Sequence, residues 1–207
     1  VATKDVRLMK HQLGTVFALP KQYVFLNYLR CHDDIGWGLD YDYLSQFGVE
    51  EAGHKKFLND YLTGKIFKCA GRGELYNDDP KLKDARLCGT TASLCGVEAG
   101  VNGDKEMLDK AIKLDVMLHA FLLTQSGIPV LYSGDEIGAV NDYSYHDVPE
   151  KASDSRYLHR GKLNWDDVAK RKKKGTPQNM IFAVRGRWKT RWLVDLVHAF
   201  VVWDLPT

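Results

Sequence analysis

Several features that would define a class of protein are scarce in this 207-residue sequence. It holds only four cysteines, and its 29 basic residues nearly balance 27 acidic ones, for a formal net charge of +2. No apolar run approaches the roughly 20 residues that cross a bilayer, and no signal peptide is visible at the N-terminus. These absences exclude a disulfide-dense secreted scaffold and a transmembrane helix. They also give no reason to expect a nucleic-acid or membrane partner.

The few cysteines point to a reducing environment. Cys31, Cys69, Cys88 and Cys95 lie in apolar contexts, so we expect free thiols and a cytoplasmic location. A zinc site would need tighter Cys and His pairing than Cys88 and Cys95 provide across six intervening residues. We therefore expect no metal and no cofactor.

The most informative stretch is 23–38, YVFLNYLRCHDDIGWG. Its apolar first half predicts a buried strand, and its polar second half contains His32, Asp33 and Asp34. A continuous apolar strand is typical of a parallel sheet that is covered on both faces, and ligands bind beyond the carboxyl ends of such strands. Any chemistry is therefore expected at these three residues.

The rest of the chain alternates helical and strand patterns. Apolar spacing predicts a helix over 3–18, helical pieces within 40–68 and a long helix over 104–126 with Asp104 as its N-cap. Residues 70–83 are rich in turn formers and predict a loop. A second buried strand is predicted at 128–132, with Gly134, Asp135 and Glu136 at its tip. The aromatic content of 141–167 favours an ordered loop, and the pattern as a whole predicts an α/β fold.

Four motifs in order carry a resemblance to a known family. An aromatic-rich strand with Asn27 followed by His32 and Asp33 continues as HDDIGW, and DARLCGT, IPVLYSGDEIG and SDSRYLHR follow downstream. This set resembles the α-amylase superfamily of glycoside hydrolases, and within it the sucrose-cleaving amylosucrases. The resemblance implies that residues 1–182 form the last strands and helices of a partial (β/α)8 TIM barrel, with an insertion at about 40–103. The segment 183–207 is an atypical tail.

The resemblance also implies roles for five residues. Asp33 would stabilise the transition state of glucosyl transfer, and His32 would bind the same ring. Asp34 and Arg86 match positions that contact the leaving fructosyl unit, and Arg156 matches an arginine at the floor of the glucosyl pocket. Simpler interpretations are a neutral structural pair for His32 and Asp33, a surface ion pair for Asp34 and Arg86, and a solvated Arg156. Asp135 and Glu136 would anchor a loop.

Retaining glycosyl transfer needs a nucleophilic carboxylate and a carboxylic acid that donates a proton. In the resembling family these lie on the fourth and fifth barrel strands, and 1–207 contains no matching motif. We therefore expect a sugar-binding part of an enzyme that is inactive alone. Alternatives are an isomaltulose- or trehalose-forming specificity, and a non-catalytic carbohydrate-binding or assembly module that self-associates or pairs with the missing barrel half. A metal-dependent phosphohydrolase is disfavoured because the His-Asp pair ends a strand.

Overall fold

The computed structural model describes residues 2–79, 81, 84–103 and 105–183. The predicted N-cap Asp104 and the tail beyond Ala183 lie outside these residues. Helix α1 spans Arg7–Phe17 and leads into strand β1, Leu26–Asn27. Helix α6, Lys105–Leu123, leads into strand β4, Ile128–Pro129, which pairs with β1 in parallel. The predicted order of helix, strand, helix and strand is thus present.

Strand β1 is shorter and more exposed than the apolar run predicted. Leu26 is 64% exposed and Tyr23 is 63% exposed. A parallel strand is buried only where further strands and helices cover both of its faces. Because β4 is the only strand that pairs with β1 in the described part of the chain, the prediction of a buried strand is wrong here.

Between β1 and α6 the chain forms a second small unit. Helices α2, Tyr41–Ser45, and α3, Glu51–Leu62, precede an antiparallel pair of strands, β2, Glu74–Tyr76, and β3, Arg86–Cys88. Strand β2 lies inside the segment that its turn formers predicted to be a loop. Helix α3 begins before Gly53 because the Glu50 carboxylate accepts hydrogen bonds from the backbone N–H groups of Ala52 and Gly53.

The largest apolar cluster lies around three helices that follow β3. Helices α4, Thr91–Cys95, and α5, Val97–Asn102, pack against α6. The cluster's buried members come from these helices and from the helical residues 177–183: Ala92, Val97, Ala111, Ile112 and Ile181. This cluster holds α6 in place, and α6 in turn fixes the start of β4.

The C-terminal part of the described chain is irregular but ordered, as its aromatic content predicted. It contains three 3-10 helices, Asp135–Ile137, Tyr143–Asp147 and Ser155–His159, followed by α7, Trp165–Lys170. Tyr145 and Leu158 are buried there with Cys88. No helix among the described residues is long and apolar enough to span a membrane. None of the four cysteines forms a disulfide in the described part of the chain.

Candidate functional site

The parallel register of β1 and β4 brings two polar loops to one edge. Leu26 aligns with Ile128, and the Val130 N–H donates to the Asn27 carbonyl at 2.8 Å. Because both strands run in the same direction, the segments that follow them, 30–34 and 132–136, leave at the same end. His32, Asp33 and Asp34, which follow β1, therefore lie at the carboxyl end of the pair.

Asp33 is at the centre of a charged cluster. One of its carboxylate oxygens lies 3.2 Å from His32 Nε2, and the other lies 3.3 Å from Arg160 Nη2 and 3.7 Å from Arg156 Nη1. The Arg160 Nε also donates to the His32 carbonyl at 2.6 Å. The Asp33 side chain remains 51% exposed. It is thus a carboxylate that is held by arginines yet open to a ligand.

Arg156 is held more firmly than the sequence predicted. Its Nε and Nη2 donate to the two carboxylate oxygens of Asp154 at 2.8 and 2.9 Å, and its guanidinium stacks over the Tyr76 ring at 4.6 Å. The bidentate bond lowers the pKa of Asp154 and raises that of Arg156. The interpretation of Arg156 as a solvated side chain is therefore wrong, because Asp154 and Tyr76 both bind it.

Asp34 and Arg86 meet beside this cluster. Arg86 Nη1 lies 3.3 Å from Asp34 Oδ2, with the Asp34 side chain 9% exposed and that of Arg86 50% exposed. A pair of backbone hydrogen bonds between Ile35 and Leu87, at 2.7 and 3.0 Å, holds the loop after β1 against strand β3. The pair is half-buried, with its guanidinium facing solvent.

A buried asparagine on α3 links the loop after β1 to the start of β3. Asn59 accepts a hydrogen bond from Trp37 Nε1 at 2.8 Å and donates from Nδ2 to the Ala85 carbonyl at 2.9 Å. Trp37 and Ala85 lie close in sequence to Asp34 and Arg86. Helix α3, which lies in the predicted insertion, thus aligns the loop that carries Asp34 with the strand that carries Arg86. Sequence reasoning did not single out Asn59, because a lone polar residue within a helical pattern carries no distinct signal.

Two buried side chains, Arg30 and His159, support the loop that contains Asp33. Arg30 donates from Nε to the Gly89 carbonyl at 2.9 Å and from Nη2 to the Asp33 carbonyl at 2.7 Å. His159 lies 3.1 Å from Arg30 Nη2 and 3.3 Å from the Gly89 N–H. Burial and the Arg30 charge lower the pKa of His159 to about 4. The imidazole is therefore neutral and accepts from one of these two donors at a time.

Asp135 and Glu136 lie away from the exposed carboxylate. The Glu136 side chain accepts from the Gly134 N–H at 3.0 Å, and the buried Asp135 lies 3.5 Å from His119 Nε2. Both anchor the loop after β4, which agrees with the role expected for them. Within the described ranges, no group of three or more His, Cys, Asp or Glu side chains is arranged to hold a metal ion.

A solved enzyme shares this fold. The crystal structure of sucrose 6F-phosphate phosphorylase from Thermoanaerobacter thermosaccharolyticum matches 89% of this chain with a TM-score of 0.56 and 18% sequence identity. That enzyme is a TIM barrel, and the match covers only part of it. The chain spans 31% of the length of the solved structure. No family model matches the sequence.

An identity of 18% establishes the fold alone. The contacts between individual site residues are therefore taken from the geometry of this chain. The structure brings His32, Asp33 and Arg156 into one cluster and Asp34 and Arg86 into a neighbouring pair. Sequence reasoning missed three residues that complete the cluster: Arg30, His159 and Arg160. Arg30 lies in the stretch 23–38, and His159 and Arg160 lie in the motif SDSRYLHR. Their position in these two motifs is the sequence signal that could have identified them.

Proposed function

We propose that residues 1–182 form the C-terminal part of the catalytic barrel of a retaining α-glucosyl enzyme of the α-amylase superfamily. The observation that carries the proposal is the half-exposed Asp33 carboxylate at the shared carboxyl end of two parallel strands. This is the edge at which (β/α)8 barrels place their active sites. The ordered motifs and the fold shared with a sucrose-phosphate phosphorylase support it.

Each residue of the cluster has a role that suits a sugar. Asp33 would accept hydrogen bonds from ring hydroxyls and stabilise positive charge at the transition state, with His32 beside it. Arg156 and Arg160 would hold that carboxylate in place. Asp34 and Arg86 would bind the second sugar of the substrate, since carboxylate and guanidinium groups form strong hydrogen bonds to hydroxyls. Sucrose is the substrate that the HDDIGW and SDSRYLHR motifs favour.

We further infer that the 207-residue chain binds sugar without turning it over. Retention needs a nucleophile and a proton donor on the two sides of the glycosidic bond. Asp154 is the other carboxylate that shares arginines with Asp33. Because Arg156 lowers its pKa, Asp154 is ionised and cannot serve as the acid. Asp34 is already bound to Arg86.

Titration of the isotope-labelled chain with sucrose tests the binding. We expect backbone amide shifts at Asp33, Asp34 and Arg86 in the wild type. Asp33→Asn should abolish these shifts, because the substitution keeps the shape and removes the charge. Asp147→Asn, a matched change at an exposed aspartate, should leave them unchanged. Absence of wild-type shifts would refute the proposal.

The same samples test turnover. Incubation with sucrose or a maltooligosaccharide should release no fructose or glucose above a protein-free blank. Release that disappears in Asp33→Asn would contradict the inferred inactivity while supporting the family.

One observation favours a second candidate, an assembly module. Large apolar side chains are exposed along α1, β1 and β4, including Met9, Leu26 and Ile128. A two-stranded sheet with open edges is a template for pairing with another chain. The partner would be a second copy of this chain, and its formation would depend on concentration.

A further inference from the structure

A separate cavity lies beside the end of the 3-10 helix Ser155–His159. Its volume is about 360 Å³, within the range of small-molecule sites. The walls come from the loop after β4, from 137–142 and from 158–167. Neither Asp33 nor Arg86 lines it. The Tyr132 hydroxyl donates to the His159 carbonyl at 3.0 Å, and this contact forms part of the wall between the two sites.

The lining has hydrogen-bonding capacity that no described residue uses. The Ser133 hydroxyl and the Lys162 ammonium bond to no other described side chain or backbone group. Asn164 accepts with Oδ1 from the first N–H groups of α7, which leaves its two N–H donors for a ligand. Asp142 uses Oδ1 to accept from the Ser144 N–H, and its other oxygen accepts no hydrogen bond from a described residue. Donors and acceptors are thus both present.

The charges select the kind of ligand. Asp167 is bound to Lys170 at 2.6 Å, so the remaining charges of the lining are the carboxylate of Asp142 and the ammonium of Lys162. These two opposite charges balance, so the lining has no net charge that would attract an anion such as phosphate. Hydroxyl groups both donate and accept, so a neutral polyhydroxylated ligand satisfies carboxylates, an amide and an ammonium together. The Tyr132 ring adds an apolar surface for a sugar ring.

We propose that this cavity is a second binding site, for a neutral monosaccharide or a polyol of that size. It is distinct from the Asp33 cluster and does not depend on the function proposed there. Its occupant would lie against His159, whose other side contacts Arg30.

Titration of the labelled full chain with glucose tests this site. Amide shifts are expected at Ser133, Gly161 and Leu163, and they should persist in Asp33→Asn. Lys162→Ala should weaken this binding about five- to tenfold, the loss expected for one ordinary hydrogen bond at an exposed side chain. Lys172→Ala, an exposed lysine outside the cavity, is the matched control and should not change it.

Three results would overturn the proposal: no shifts at these amides, shifts with inorganic phosphate but not with glucose, or equal losses in the two lysine variants. Shifts here without shifts at Asp33 and Asp34 would support the second site and refute the sugar role of the first. The two proposals therefore fail independently.

Discussion

Three arginines hold the loop that contains Asp33: Arg30 lies at its start, and Arg156 and Arg160 belong to the 3-10 helix Ser155–His159 and its C-cap. Arg30 binds its backbone carbonyl from below, while Arg156 and Arg160 approach one carboxylate oxygen. A carboxylate between two guanidinium groups is fixed in direction without being buried. This preorganisation is what a transition-state stabiliser requires, because the group need not reorient as charge develops.

The neutral His159 makes the site sensitive to acid. Its pKa is lowered from 6.5 to about 4 by burial and by the Arg30 charge. The unfolded chain therefore binds a proton at a higher pH than the folded chain does. The free energy of unfolding should be highest above pH 6.5 and should fall as the pH drops towards 4, by at most about 3 kcal/mol from this group.

Urea unfolding over this pH range measures the effect. His159→Gln, which cannot titrate, should show a shallower loss of stability on acidification than the wild type. His146→Gln, at a half-exposed histidine, should keep the wild-type slope. Parallel pH profiles for the wild type and His159→Gln would contradict the prediction.

At the scale of elements, the helices were easier to predict than the strands. The apolar spacing of 104–126 is local information, and α6 lies within that range. Its buried face was less predictable: Asp115 and His119 are buried, whereas Met117 is 53% exposed. Polar residues that bind each other inside a protein are assigned to the solvent-exposed face when only the sequence pattern is known. Strand β2 was missed because its ladder with β3 joins distant residues and three residues carry no period.

The site was predictable only where local sequence pattern determines it. Asp33 and Asp34 follow an apolar run, which local pattern detects. The contact of Asp34 with Arg86 spans 52 positions, and it was expected only because both lie in motifs of a resembling family. The bonds of Asn59 and Arg30 depend on tertiary packing, which no periodicity encodes.

Two helical glycines should respond in opposite directions to the same substitution. In α1, a Cβ at Gly14 meets nothing within 4 Å, so Gly14→Ala should raise the free energy of unfolding by about 0.5–1 kcal/mol through helix propensity. In α5, a Cβ at Gly100 would lie 2.6 Å from Leu108 Cα. Gly100→Ala should therefore separate α5 from α6 and cost about 1–3 kcal/mol. Thermal and urea unfolding of both variants test the pair, and effects of the same sign would contradict it.

At the scale of the whole molecule, apolar residues are unevenly covered. The cluster around Ala111 and Ile112 is closed, while the residues of β1 and β4 face outward among the described residues. Large exposed apolar patches mark surfaces that associate. Within the described part of the chain, the sheet whose loop carries Asp33 is thus also an exposed apolar surface that can pair with another chain.

Self-association through this sheet should be weakened by a substitution on the sheet and not by a similar substitution elsewhere. Leu26→Lys places a charge on β1, where the leucine is 64% exposed, and should weaken association about tenfold to a hundredfold, the loss expected for one buried leucine. Val101→Lys makes the same kind of change on α5, at a valine that is 57% exposed, and should have little effect. Sedimentation velocity over a concentration series measures both. A wild type that stays monomeric throughout would show that the exposed strands do not pair between copies, and equal effects of the two lysines would place the interface elsewhere.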